Sequence, residues 1–289
     1  MRMPTLMAGL LVAAAGCGEY GFNALPDDAE EVETLDTGVP APEPEVTVDT
    51  GTDTGVATQD PVEDTEEPPP PPPGVADAPV YANDAGSLYE VVPATGDAVY
   101  IGAMHDDLGE VVNFVDIAID LDGHLYGGTF DSLYKIDPAT GFVEYLCTPG
   151  VDMTALTFTS SGHLAAGGDS DLVWIDVDTC ALSDLVVGAP YATSGDLVGL
   201  PDGYLYWTVE GDDERDELVR VDPYTGGMEW LGVAGVDQLF GLGFHEGSLY
   251  GFSDDGETVR IDPSDGTTEI LGVSSTIQWW GATTNPVTW

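Results

Sequence analysis

The sequence predicts an all-β fold: a five-bladed β-propeller, closed by pairing of the C-terminal strand with the N-terminal blade and preceded by a disordered linker. Three observations lead there. A motif of strand-forming residues recurs five times at a spacing near 40, the period of a four-stranded blade. No segment sustains a helical hydrophobic period. The chain from Val80 onward opens partway through a blade and ends with the strand that blade lacks.

The five copies run from Ser87 to Gly96, Ser132 to Gly141, Asp171 to Cys180, Glu217 to Gly226 and Glu257 to Gly266, and start 45, 39, 46 and 40 residues apart. Within each, the Leu-Tyr-x-Ile-Asp stretch alternates and is rich in β-formers, so it reads as the third strand, c. The Asp-Pro-x-Thr-Gly that follows is a turn: Pro presets φ at the first corner, and Gly accepts the positive φ that closes the hairpin. Strand d comes next, as in Phe142 to Leu146 and Met228 to Leu231. A strand of small and apolar residues, such as Ala155 to Phe158 or Gly241 to Phe244, is strand a, suited to the crowded centre where blades converge. Gly-containing turns at Asp122, Ser161, Asp202 and Glu246 lead into strand b. Counting from Val80-Tyr-Ala as strand b, the domain ends in an extra strand a from Gln278 to Thr284. That strand completes the first blade, and closure removes exposed sheet edges.

The repeat resembles the bacterial propellers with NHL-like and quinoprotein-like repeats, on segments such as Leu133-Tyr-Lys-Ile-Asp-Pro-Ala-Thr-Gly141. Most copies lack the terminal Trp of the quinoprotein repeat; Trp230 keeps it. The resemblance covers about 210 residues and implies the fold without selecting an activity.

Ahead of the propeller lie two segments of different character. Arg2 supplies a short positive region, and Leu6 to Ala15 is an apolar stretch too short for the ~20 residues of a membrane span. Ala14, Ala15, Gly16 and Cys17 follow. This resembles the lipobox of bacterial lipoproteins, with Ala14 where the family usually has Leu. It implies cleavage after residue 16, lipidation of Cys17, and an outer-membrane address because Gly18 stands where an inner-membrane retention Asp would. An ordinary secretory signal with an incidental cysteine is the alternative. Residues 17–79 form an acidic linker, in which the block from about Pro26 to Pro79 alternates Asp, Glu, Thr and Pro and includes the run Pro68 to Pro73. Such a composition buries too little apolar surface to offset its ordering entropy, so a disordered, charge-extended stalk is expected. The propeller domain is residues 80–289.

Charge limits the partners. The chain has 53 acidic and 5 basic side chains, a formal charge of −48. Five cations cannot neutralise a phosphate backbone, so nucleic acid is excluded, and anionic membrane surfaces would repel the head. Contact with a membrane is therefore expected through the lipid anchor only, and the head is expected to be a monomer.

Site candidates follow from the repeat. Aligning strand a places Asn113, Asp152, Ser194, Gln238 and Gln278 in a polar ring at the channel mouth, with Phe240, Trp279 and Trp280 beside it. Polar groups flanked by aromatics form a plausible platform for a small ligand or glycan; a water-filled polar channel is the bland alternative. The loops between strands b and c on the same face are acidic, and Asp169, Asp171, Asp254 and Asp255 are candidate ligands for Ca²⁺. Adaptation of the whole surface to salt explains the charge equally well. Asp120 to Gly123 is only a fragment of a calcium loop and reads as an a–b turn. Lys135, Arg220 and Arg260 share one position on strand c, which suggests ion pairs between blades. His124 and His163 also correspond, without an evident third metal ligand. Cys147 follows strand d and Cys180 lies in the next c–d turn; the register sets them on opposite faces, which opposes a bridge. A catalytic set is not evident: there is no nucleophile elbow, HExxH or phosphate loop.

The sequence is thus read as a lipid-anchored outer-envelope propeller that binds a protein or glycan, with cations assisting, facing periplasm or medium. The alternative is a propeller hydrolase or lyase with a metal in the central channel. Against it, Asp152 is the single carboxylate in the aligned ring, although Asp116 and Asp196 lie nearby.

Overall fold

The computed structural model describes residues 79–211 and 215–287. The Cys17 motif and the acidic segment up to residue 78 lie outside the described residues. Among the described residues twenty strands form five antiparallel four-stranded sheets. Blade 1 contains β1 (Val80–Asn83), β2 (Ser87–Val92) and β3 (Asp97–Ala103). Blade 2 is β4 (Asp116–Ile119), β5 (Leu125–Gly128), β6 (Leu133–Ile136) and β7 (Val143–Cys147), and blade 3 is β8 (Ala155–Phe158), β9 (Leu164–Gly168), β10 (Asp171–Ile175) and β11 (Leu182–Val186). Blade 4 is β12 (Thr193–Gly199), β13 (Leu205–Glu210), β14 (Asp216–Val221) and β15 (Met228–Val233); blade 5 is β16 (Leu239–His245), β17 (Ser248–Ser253), β18 (Glu257–Ile261) and β19 (Thr268–Val273). The last strand, β20 (Gly281–Thr283), supplies the innermost strand of blade 1.

That closure is explicit in the register. Tyr81 faces Thr283, Ala82 faces Ala282 and Asn83 faces Gly281, so the C-terminal strand does zip into the first blade. The innermost strands neighbour one another in the ring order β20, β4, β8, β12, β16. Five apolar clusters occupy the five gaps between neighbouring blades. The core is therefore distributed around the ring rather than gathered at its centre, and each blade is held by both neighbours.

Two details of the outer strands differ from the sequence reading. Cys147 and Cys180 are joined in a disulfide with Cα atoms 6.4 Å apart. The expectation of opposite faces failed because it ignored sheet twist, which accumulates from strand to strand. The swing brings the end of strand d against the c–d turn of the next blade at every junction. In three of the other four junctions the meeting pairs are Gly102 with Gly141, Gly232 with Gly266 and Gly272 with Gly96, where an added Cβ on Gly102, Gly141, Gly232, Gly266 or Gly272 would crowd the opposite backbone; in the fourth, Gly226 meets Val186. Blades 2 and 3 replace that glycine pair with the two cysteines. Cys180 accordingly adopts a positive φ of 55°, in the left-handed region that glycine occupies at the same turn position in the other four blades, with φ 68° to 77°.

The cations of strand c also pair differently. Arg220 binds Glu229 at 2.5 Å and Arg260 binds Glu269, each directly across its own c–d hairpin. Lys135 stands opposite Glu144 in the same register. These pairs lie within blades, not between them, because the residue facing position c on the outer strand is a glutamate in all three.

Candidate functional site

The inner strands create a problem that the side chains solve. Strand a is the edge of each sheet, so its axis-facing N–H groups have no strand to bond and are too buried for water. The residues at one aligned position of strand a are Ile117, Leu156, Leu197, Leu242 and Ala282, one from each blade. All five donate their N–H groups to two carboxyl groups. Asp116 accepts from Ile117 at 2.7 Å and Leu156 at 2.6 Å. Asp196 accepts from Leu197 at 2.5 Å, from Leu242 and from Ala282. Both acids are fully buried and hydrogen-bond each other. Five backbone donors converge on four carboxyl oxygens and form a plug on the axis.

Their electrostatics follow. Burial first, and then the like charge of Asp196, push the Asp116 carboxyl well above the usual carboxylate range. Burial raises Asp196 as well, against the opposing pull of its hydrogen-bond donors. Two adjacent carboxylates cannot both ionise here, so the pair retains a proton at neutral pH. Hydroxyl side chains complete the clasping of the ring: Thr283 accepts from Ile119, Thr157 from Gly199 and Thr284 from Phe244.

Directly above the plug lies a cup of about 240 Å³ on the axis. The residues two places before the five donating amides in each strand a are Val115, Thr154, Gly195, Phe240 and Trp280, and all five line it, together with Phe130 and Ser194. Its two hydroxyls are already engaged: Thr154 donates to the Gly167 carbonyl at 3.0 Å and Ser194 to Asp216 at 2.6 Å. Beside it, sharing Ser194 and Phe240, opens a recess of about 580 Å³ lined by Glu210, Arg215, Asp216, Asp237 and Gln238 among others. Asp216 also accepts the Leu239 N–H at 2.6 Å, and burial raises its pKa. Clefts of about 290, 740 and 470 Å³ near His124, His163 and Ser248 occur at the same place on blades 2, 3 and 5. Those belong to the repeat; the cup and its recess do not.

The expected ring is partly assembled. Asn113, Asp152, Gln238 and Gln278 each sit just before the inner strand of their blade and are exposed. Ser194 lies one place deeper than they do, past a register irregularity in β12. Phe240 and Trp280 line the cup. Trp279 does not: it is fully buried, edge-to-face with Tyr89 and Phe252 between blades 1 and 5, because adjacent strand residues point to opposite sides. The acids Asp169 and Asp171 lie in blade 3 and Asp254 and Asp255 in blade 5. Asp171 accepts the Gly188 N–H at 2.7 Å and the Asp169 carbonyl accepts the Thr193 N–H. Among the described residues no three His, Cys, Asp or Glu side chains group so as to hold a metal ion. Asp120 caps its own turn and takes the His124 ring at 2.9 Å.

The plug was the feature that sequence reasoning passed over. Its signal was present: Asp116 and Asp196 fall in a strand-a column otherwise filled by Ala155, Gly241 and Gly281, an acid where only small residues fit.

Twenty strands, a closed ring and a plugged axis define the chain as a β-propeller. No family model matches it, nor does any curated protein. Among solved structures, a chain of the nidogen–laminin complex aligns over 100% of its own length and 74% of this one, with 10% identity and a TM-score of 0.51. A protein of unknown function from Bacteroides thetaiotaomicron aligns over 60% of its length and 70% of this chain, with 14% identity and a TM-score of 0.46. At these identities the likeness concerns the fold alone.

Proposed function

We propose that this chain is a lipid-anchored, outer-envelope binding module whose propeller head captures a protein or glycan ligand at the axial cup. The observation that carries this is the blind, aromatic-walled recess formed by Phe130, Phe240 and Trp280 at the point where all five blades meet. Apolar concavities with a few convergent polar groups are the usual form of binding sites. The Cys17 motif and the acidic, proline-rich residues after it support a tether that holds the head away from a lipid surface. A propeller of the NHL-like or quinoprotein-like kind is the parentage this reading favours, on the repeat motif. Calcium enters as a screening counter-ion for the acidic surface, since the candidate acids are divided between blades 3 and 5.

A channel-metal hydrolase or lyase is the weaker reading. The axial carboxylates that would hold such a metal already accept five backbone N–H groups and share a proton. The test is a glycan array and an envelope-protein pull-down with the wild-type chain and Trp280→Ala. A ligand bound by the wild type and weakened at least tenfold in the variant, with an unchanged melting temperature, supports the cup. Equal retention by both would place binding elsewhere.

A further inference from the structure

We infer that the ligand of the cup is a basic protein segment that inserts one apolar side chain into the cup and sets a neighbouring lysine or arginine in the acidic recess beside it. This rests on the binding reading above and narrows its ligand class.

Three observations select that chemistry. The first is size. At about 240 Å³ the cup falls below the ~300 Å³ at which clefts for whole small molecules begin, and it suits a single side chain. The second is the wall chemistry. A sugar ring stacked on an aromatic needs hydrogen-bond partners around its rim, yet both hydroxyls of the cup are committed inward, Thr154 to a carbonyl and Ser194 to Asp216. The walls that remain are Val115, Phe130, Phe240 and Trp280, which reward an apolar group; the Trp280 indole N–H is the one side-chain donor they add. The third is charge. The adjoining recess carries Glu210 and Asp237 with Arg215 beside them, Asp216 being committed to Ser194 and the Leu239 N–H, and from Val80 onward the chain holds 36 acids and four cations. That field draws cations toward this face and repels acidic partners. A cation seated there also lies beside Phe240, which borders both the recess and the cup.

The discriminating experiment titrates the full chain with short capped peptides, reading the Trp280 indole N–H by NMR. The probes are acetyl-Gly-Phe-Lys-Gly-amide, its Phe-Glu and Gly-Lys counterparts, and chitohexaose as a neutral glycan. The Phe-Lys peptide is expected to shift the Trp280 signal with an affinity at least tenfold above both counterparts. Raising NaCl from 0.05 to 0.5 M should weaken it several-fold. Glu210→Gln with Asp237→Asn should bring the Phe-Lys and Phe-Glu peptides within threefold of each other while leaving the melting temperature in place. Equal binding of Phe-Glu, or of Gly-Lys, would overturn the inference. Binding of chitohexaose at Trp280 in preference to the peptides would overturn it too, while leaving the cup as a binding site. If no probe perturbs Trp280, the inference and the cup reading fall together.

Discussion

A carboxyl group at Asp116 or Asp196 faces opposed demands. Burial disfavours its charge, while the N–H groups converging on it favour an acceptor. Sharing a proton meets both. The consequence is a pH dependence whose sign can be worked out. The folded-state pKa values of both groups, and of Asp216, are raised above the unfolded carboxylate value. The folded state therefore holds protons that the unfolded chain releases, so this stability is full below about pH 4 and declines as pH rises through the folded values. Each retained proton corresponds to about 1.4 kcal/mol per pH unit. The urea midpoint in 0.5 M NaCl should fall between pH 5 and pH 8, and Asp196→Asn should flatten that fall; parallel slopes would refute the shared proton. Asp196→Ala should cost more than the Asn change, because three N–H groups lose their acceptor at ~1–3 kcal/mol each. This pair was legible only by column. An isolated Asp in an apolar strand says little, whereas two acids at a position otherwise held by Ala and Gly mark the axis.

The c–d hairpin shows what the repeat reveals and what it hides. Its turn was legible from Asp-Pro-x-Thr-Gly, and the strands on either side pair as that turn dictates. The partners of Arg220 and Arg260 were legible in principle, since Glu229 and Glu269 stand opposite once the hairpin register is counted. Contacts between hairpins of neighbouring blades were hidden, because they depend on twist and not on sequence spacing. The disulfide is the clearest case. Cys147 and Cys180, 33 residues apart, close a loop whose constraint is worth ~3–4 kcal/mol. Since the corresponding residues in three other junctions are both glycine, Cys147→Gly with Cys180→Gly should still fold, and should lose less stability than the double alanine variant. The alanine at position 180 must hold a positive φ, a strain of ~1 kcal/mol that glycine avoids. Thermal melts of the two variants would check this; an alanine variant as stable as the glycine one would deny the equivalence of the junctions.

At the level of the whole molecule, a ring of five blades carries a large excess of negative charge, and self-repulsion opposes its compact state. With the candidate acids divided between blades 3 and 5, millimolar Ca²⁺ should raise the melting temperature no more than NaCl of matched ionic strength. A larger rise with Ca²⁺ would establish a specific site. Closure itself was legible because the repeat left one strand missing at the start and one spare at the end. The closed ring and the axial plug meet in five amides, one per blade: Ile117, Leu156, Leu197, Leu242 and Ala282. Native-state hydrogen exchange at these positions is the most direct measurement. In a sealed ring all five should exchange only through global unfolding, with one common opening free energy and one denaturant dependence. Ala282 exchanging orders of magnitude faster than Leu197 would show that the last strand opens alone, and would contradict both the closure and the plug.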